Sequence, residues 1–268
     1  MNMLANLKID DSVVLEQEQD RVGGASRTLD SDIYGFTIEA AYIGTSKESN
    51  VGGVAKGGAT NVSFILKDKK SGTVFKPTVY VTGGKDKGCK PYYTKKDDTT
   101  GKETNYPLPG FLVANSIAEL TTGVALAEQP TEEKVVKIYN FDSKTEVPTK
   151  VQMLVDLIGK EVNLGVLRQT VDKNKSDGNG GYVSSGETRD ENEIDKVFCA
   201  REGFENMTQT EIKAKRAGDD TVEAVFHKTW LEANQGKTRN KAKGGGGTAG
   251  APAKAGAAAG KPKSGLFS

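Results

Sequence analysis

Residues 61–82 read NVSFILKDKKSGTVFKPTVYVT, and they contain the clearest structural signal in the chain. Two runs of β-branched and aromatic residues, 61–66 and 73–82, flank a turn-forming sequence at 69–72, which is the pattern of two consecutive strands. Pro77 has no amide hydrogen to donate to a neighbouring strand. The second run is therefore predicted to lie at a sheet edge or to bulge there.

The same reasoning predicts further elements on both sides of this stretch. Residues 33–43, 134–141 and 161–171 have the composition of strands, whereas 111–120 predict a helix that ends before Gly123. The remaining predictions are loops at 44–58, 83–109 and 173–189, a short helix at 151–158, a strand or helical turn at 193–198, a helix opened by the capping-box sequence 208–211, and a helix at 222–234 anchored by Trp230.

Five strands with a helix between the third and the fourth follow the element order of the OB-fold barrel. We therefore expect a mainly β fold: an OB-fold-like five-stranded barrel with additional helices and disordered termini. Another small β-barrel or a sandwich is the alternative. The predicted divisions are an acidic mobile arm at 1–32, the barrel domain at 33–236, and a disordered basic Gly/Ala/Lys tail at 237–268, which contains no acid.

The basic charge of the chain is concentrated around the predicted edge strand. Residues 67–106 contain ten lysines and five acids, whereas the whole chain has a net charge of only +1. Lysines can neutralise phosphates while exposed aromatic rings stack on unpaired bases. The predicted nucleic-acid-binding residues are Lys76, Tyr80, Lys85, Lys87, Lys90, Tyr92, Tyr93, Lys95 and Lys96.

Each aromatic residue in this region also has a purely structural interpretation. Strand alternation places Phe75, Pro77 and Val79 on one side and Lys76 and Tyr80 on the other. Phe75 is accordingly assigned to the core, whereas for Tyr80 a core position and a ligand-facing position are both open. For Tyr106, which precedes a proline, packing is an equally good interpretation.

Catalytic chemistry has little support in the sequence. His227 is the one histidine, no nucleophile motif occurs, and the glycine-rich strings do not match a phosphate-binding loop. The acids between Asp190 and Asp195 could bind Mg²⁺ as in a nuclease, but a solvated acidic run is the simpler interpretation. We therefore expect no catalytic residue, no metal and no cofactor, hence no enzyme. Cys89 and Cys199 are interpreted as reduced thiols, and neither a membrane span nor a secretory signal is expected.

Four strings resemble the single-stranded-DNA-binding proteins of tailed bacteriophages of the podovirus type: VYVTGGKDKGCKPYYTKK (79–96), LPGFLVANSIAEL (108–120), VPTKVQMLVDLI (147–158) and ETRDENEIDKVF (187–198). The resemblance covers roughly residues 33–243. It implies an OB-fold that coats single-stranded DNA without sequence preference during phage replication and recombination, in the cytoplasm of the infected host cell. It also implies a tail that contacts replication, recombination or transcription proteins.

The predicted tail departs from the pattern of many proteins with this function, which end in an acidic run with an aromatic residue. Here Phe267 is present but the acids are absent, so this tail could not compete with DNA as an acidic one does. The partner-binding residues are predicted to be Lys261, Lys263, Leu266 and Phe267. Two alternatives remain open: a virion-associated or structural DNA-binding protein, and a metal-dependent nucleic-acid enzyme.

Overall fold

The computed structural model describes residues 28–51, 53–140, 143–176, 182–219 and 221–242. Strands predominate in these ranges, as the sequence predicted. The strands are β1 Asp32–Thr45, β2 Ser49–Val51, β3 Val54–Lys56, β4 Thr60–Asp68, β5 Val74–Phe75, β6 Thr78–Tyr80, β7 Tyr92–Lys96, β8 Glu103–Pro107, β9 Thr131–Asn140, β10 Thr145–Leu154, β11 Glu161–Ser176, β12 Tyr182–Cys199 and β13 Thr238–Asn240. The α-helices are α1 Pro109–Thr122, α2 Gln209–Arg216 and α3 Phe226–Asn234.

Strand β1 organises the main sheet, because it pairs with three other strands. Its first residues, from Asp32 to Thr37, pair with β11, the segment from Phe36 to Thr45 pairs with β4, and Tyr42 and Ile43 pair with β10. Strand order across the sheet is β12-β11-β1-β10-β9, with β4 on β1 and with β5 and β6 both on β4. The ladders β2–β3 and β7–β8 are separate two-stranded sheets.

The sheet is open, whereas the sequence predicted an OB-fold-like five-stranded barrel. Among the described strands, no ladder joins β9 or β6 to β12, so the sheet has free edges. The outer strands instead form long antiparallel hairpins. β9 pairs with β10 over ten residue positions, and β11 pairs with β12 from Val162 to Ser176. The prediction of a mainly β fold is confirmed, whereas the strands form an open sheet and not the five-stranded barrel that the sequence predicted.

The main core lies where β1, β4 and β11 meet α1. Alternate side chains of β1 and β4 point into it, and Phe36, Ile38, Phe64 and Leu66 are at most 1% exposed. Helix α1 covers these residues with Ile117, which is fully buried. Burying large side chains of this kind contributes roughly 1.5–3 kcal/mol each, so this cluster is the principal source of the domain's stability.

Helix α1 fulfils its prediction and fixes the position of the edge strand. Pro109 begins it, and Gly123 follows its last residue in a left-handed conformation (φ 86°), which glycine adopts without strain. Gly110 lies directly against β6: a Cβ atom there would be 2.3 Å from the carbonyl oxygen of Tyr80. The start of α1 and the strand that carries Tyr80 are therefore in backbone contact.

Four segments differ from their sequence predictions. Residues 145–154 form strand β10, and the helix predicted at 151–158 is reduced to one 3₁₀ turn at Val155–Leu157. The predicted loops at 44–58 and 83–109 contain the hairpins β2–β3 and β7–β8, and the predicted loop at 173–189 is mostly strand. Segment 193–198 is part of strand β12, which is one of its two predicted alternatives. These polar strands are stabilised by pairing with their neighbours rather than by an apolar face, which explains why alternation did not mark them.

Helices α2 and α3 are the last helices of the domain, and side-chain hydrogen bonds fix their positions. The predicted capping box is present: the Thr208 hydroxyl accepts from the amide of Glu211, whose carboxylate accepts from the Thr208 amide. Trp230 is 3% exposed, confirming it as an anchor, and its Nε1 donates to Asp195 at 2.7 Å. Helix α3 begins at Phe226, four residues later than expected. None of the helices in the described ranges has the length and apolar character needed to cross a bilayer.

Structure extends slightly beyond the predicted domain limits at both ends. Ser31, assigned to the mobile arm, is buried, and its hydroxyl donates to the carbonyl oxygen of Lys237 at 2.5 Å. Thr238–Asn240, assigned to the tail, pair with β11 as the parallel strand β13. The rest of the predicted arm (1–27) and tail (243–268) lies outside the described residues.

Candidate nucleic-acid interface

The basic segment that the sequence singled out contains an exposed β-hairpin, β7–β8. Its register places Tyr93 opposite Tyr106 and Lys96 opposite Glu103. Asp97 closes the turn by accepting from the backbone amides of Thr99 and Thr100. Backbone and hydroxyl hydrogen bonds from Thr100 lower the pKa of Asp97 below its usual value. The Asp97 carboxylate is therefore engaged within the turn.

One face of this hairpin presents a pair of stacked tyrosines. The ring centroids of Tyr93 and Tyr106 are 5.7 Å apart with an interplanar angle of 25°. The residues remain 40% and 43% exposed. Lys95 lies two residues along β7 on the same face, with its Nζ 5.8 Å from the Tyr93 centroid and 5.7 Å from that of Tyr106. Two accessible aromatic rings and one cation thus share a single surface, which we call the tyrosine face (Tyr93, Lys95, Tyr106).

The sequence predicted that Tyr92 and Tyr93 bind DNA as a pair, but in strand β7 their side chains point to opposite faces. Neighbouring residues of a strand point to opposite sides, so Tyr92 lies on the other face, opposite Pro107. Tyr92 is half-buried, with the Lys90 ammonium 5.5 Å from its ring centroid. The residue that shares a face with Tyr93 is Tyr106. The sequence could have revealed this pair if YYTKK (92–96) and ETNYP (103–107) had been aligned as a hairpin around a turn at Asp97, because that alignment places Tyr106 opposite Tyr93.

The base of the hairpin is tied to the domain through backbone hydrogen bonds. The Gly83 amide donates to the Lys90 carbonyl at 2.8 Å, and the Leu108 amide donates to the Pro91 carbonyl at 2.9 Å. Between them, a 3₁₀ turn at Lys85–Lys87 is braced by a hydrogen bond from the Lys85 amide to the Gly57 carbonyl. The hairpin therefore leaves the domain from a defined position between β6 and α1.

Five of the six predicted nucleic-acid-binding lysines lack an acidic partner among the described residues. Lys85 pairs with Glu48 at 2.5 Å. Within the part of the chain that the structure describes, no carboxylate oxygen lies within 4.0 Å of the other five predicted lysines, which are Lys76, Lys87, Lys90, Lys95 and Lys96. On the other hairpins some lysines pair, as in Lys134–Glu132, Lys150–Glu133 and Lys173–Glu187, and others do not, so an unpaired lysine is not by itself a mark of the interface.

The edge strand adds a third exposed ring. Phe75 packs against Phe36, with ring centroids 5.8 Å apart, in agreement with its assignment to the core. Tyr80, on the opposite side as predicted, is 52% exposed, and Lys76 is exposed as well. Tyr80 and Lys87 line a groove of about 530 Å³ that runs past the start of α1 towards β12. The far wall of this groove contains Glu191 and Glu193, so the basic, aromatic surface reaches only the side that contains Tyr80 and Lys87.

The acids considered as a magnesium site are engaged in ion pairs and hydrogen bonds. Asp190 binds Arg168 at 2.7 Å, and the pKa of Asp190 is lowered by hydrogen bonds from Thr170 and Arg168. Glu193 pairs with Lys241 at 2.6 Å. Across the described residues, no group of three or more His, Cys, Asp and Glu side chains is arranged to hold a metal ion. These carboxylates stabilise the β11–β12 hairpin and β13.

The remaining candidate residues lie apart from the tyrosine face. Cys89 is exposed and Cys199 is buried, and both are free thiols, as expected. The predicted partner-binding residues Lys261, Lys263, Leu266 and Phe267 lie outside the described residues. Comparison with known proteins adds no assignment: no family model, no curated protein and no solved structure matches this chain.

Proposed function

We propose that this protein binds single-stranded DNA without sequence preference, and that the β7–β8 hairpin is its principal contact. The observation that carries the proposal is the tyrosine face, where two exposed, stacked rings lie under one lysine ammonium. As a cross-strand pair the two rings contribute only about 0.2–1 kcal/mol to the hairpin, and they remain 40% and 43% exposed, which leaves ring surface available to a ligand.

The chemistry of the tyrosine face matches that of a single strand. Bases of a single strand expose their faces, so they can stack on Tyr93 or Tyr106, whereas paired bases inside a duplex cannot. The phosphates that flank a stacked base need cations nearby, and Lys95 is placed to supply one. Ring stacking and phosphate contacts do not depend on base identity, which favours binding without sequence preference.

The unpaired lysines supply a long-range contribution. Lys87, Lys90, Lys95 and Lys96 have no carboxylate partner among the described residues, so binding a polyanion breaks no existing ion pair there. Each phosphate neutralised releases condensed counterions, and affinity should therefore fall as salt rises. The exposed Tyr80 and Lys87 offer the single strand one further ring and one further cation beside α1, on the side of the groove away from Glu191 and Glu193.

Two wider proposals follow from the sequence and the element order. The strand triple β1, β4 and β5/β6 followed by α1 supports an OB-like arrangement of an open sheet, with the ligand along the exposed side of the edge strand. The resemblance to phage proteins further supports a role in protecting single strands during phage DNA replication and recombination.

Fluorescence anisotropy tests the proposal directly. Full-length protein is titrated into a labelled oligothymidylate and into a duplex of equal length, each at two salt concentrations. We expect clear preference for the single strand, with log Kd rising linearly with log salt. Equal affinity for the duplex, or an affinity that does not respond to salt, would contradict the proposal. Incubation of intact strands with Mg²⁺ should leave them uncut.

A further inference from the structure

A second surface feature, unrelated to the tyrosine face, lies between α1, α2, α3 and β12. It is a groove of about 670 Å³ whose walls include Leu112, Val113, Val225 and Phe226. Three of these residues are unusually exposed for their type: Leu112 is 50% exposed, Val225 55% and Phe226 39%. Clustered apolar side chains at the surface of a domain are typical of a docking site.

Hydrogen bonds join two of the helices that line the groove. Glu211, at the start of α2, accepts hydrogen bonds from the amides of Val225 and Phe226 at 3.0 and 2.9 Å. The same carboxylate accepts from the Thr208 amide, so one side chain ties the first residues of α2 and α3 together. An apolar ligand would therefore enter a preformed site and would not have to order its walls.

The chain itself contains a candidate occupant, the apolar pair Leu266 and Phe267, and the described part of the chain ends near the groove. Strand β13 is next to the groove, because Arg239 lies 3.9 Å from Asp195, a residue that lines it. The description of the chain stops at residue 242, and 23 residues (243–265) then precede Leu266 and Phe267. A glycine-rich chain of 23 residues has a root-mean-square span of about 25–30 Å, which is enough to return to the groove.

We propose that Leu266 and Phe267 dock into the groove formed by Leu112, Val113, Val225 and Phe226 of the same molecule. Tethering favours this occupant over an unconnected one, because a short flexible linker gives a local concentration in the millimolar range. A contact with a Kd of only about 1 mM would then be occupied for much of the time. Docking covers the exposed rims of α1 and α3 and withholds Leu266 and Phe267 from other partners.

Paramagnetic broadening in the full-length chain tests the docking. A nitroxide is attached at residue 268 through Ser268→Cys in a Cys89→Ser background, since Cys199 is fully buried and will not react. We expect the amide signals of Leu112, Val225 and Phe226 to broaden by at least twofold more than those of the β9–β10 hairpin. The Phe267→Ser variant, which alters no described residue, should abolish the difference.

Two controls separate docking from other causes. Leu112→Ser should reduce the broadening, whereas Val135→Ser, at a 62% exposed position on β9, should not. A second sample mixes nitroxide-labelled protein at natural nitrogen abundance with ¹⁵N-labelled protein that carries no nitroxide. Broadening in this mixture reports contacts between molecules. Broadening only in the mixed sample, uniform broadening, or broadening that survives Phe267→Ser would each overturn the proposal.

Discussion

Replacing Tyr93 by alanine is the sharpest perturbation of the proposed interface. Tyr93 is 40% exposed and stacks only on Tyr106, so its loss leaves no buried cavity. The cost in folding should be that of one cross-strand pair, about 0.2–1 kcal/mol. Loss of a stacked base should cost roughly 1–3 kcal/mol of binding. Since 1.4 kcal/mol corresponds to tenfold, Kd for a single strand should rise about 5- to 150-fold.

The neighbouring tyrosine provides an internal comparison. Tyr92 is half-buried on the other face of the hairpin, so Tyr92→Ala should weaken binding less than Tyr93→Ala, although the two residues are adjacent. Tyr106→Ala should resemble Tyr93→Ala. Because the two rings form one stack, the double variant should lose less than the sum of the single losses.

Binding is measured by anisotropy with an oligothymidylate, and the folded state of each variant is checked by thermal unfolding. Tyr93→Phe keeps the ring and should bind within about twofold of the wild type. Tyr139→Ala, at a 49% exposed position on β9, is the matched control for an exposed strand tyrosine and should also bind normally. A Tyr93→Ala variant that is folded and binds like the wild type would refute the stacking argument.

Three further predictions concern charge, packing and pH. Lys95→Gln should reduce the slope of log Kd against log salt by about 0.7, the value for one phosphate of a single strand, whereas Lys134→Gln, whose ammonium pairs with Glu132, should not change it. Gly110→Ala places a Cβ atom 2.3 Å from the Tyr80 carbonyl oxygen, so it should lower stability by about 1–3 kcal/mol in denaturant titrations, and an unchanged midpoint would show that the contact is loose. Burial raises the pKa of Glu211, but hydrogen bonds from three amides outweigh burial, so the pKa lies below its usual value. The ionised carboxylate therefore stabilises the fold fully above about pH 4.5, and this stabilisation is lost as pH falls through the folded-state pKa. Glu211→Gln should therefore lower the melting temperature at pH 7 and flatten its decline in acid, and an unchanged acid profile would contradict this role.

The strands and helix that build the core could be predicted from the sequence, because burial leaves a periodic pattern. In β1 and β4 the buried residues alternate, and Phe36, Ile38, Phe64 and Leu66 are the products of that alternation. Helix α1 could be predicted from the spacing of its apolar residues and from Gly123 at its end. Pro77 likewise marked the break between β5 and β6 at the sheet edge.

The hairpins that leave the core could not be predicted in the same way. In β7 and β8 most side chains are exposed, so pairing determines the structure and hydrophobic periodicity is absent. In β10 the spacing of Val151 and Leu154 imitated a helix, but hydrogen bonding to β9 outweighs that local pattern. Tyr106 was missed as a site residue for the same reason: its relation to Tyr93 exists only once the two strands are paired.

Amide chemical-shift mapping with a short oligothymidylate tests most directly whether the hairpin is the binding surface. In ¹⁵N-labelled full-length protein, we predict the largest shifts at Tyr93, Lys95 and Tyr106, smaller ones at Tyr80 and Lys87, and little change on the β9–β10 hairpin. Shifts concentrated away from residues 76–107, or no shifts at a saturating concentration of the single strand, would contradict the account.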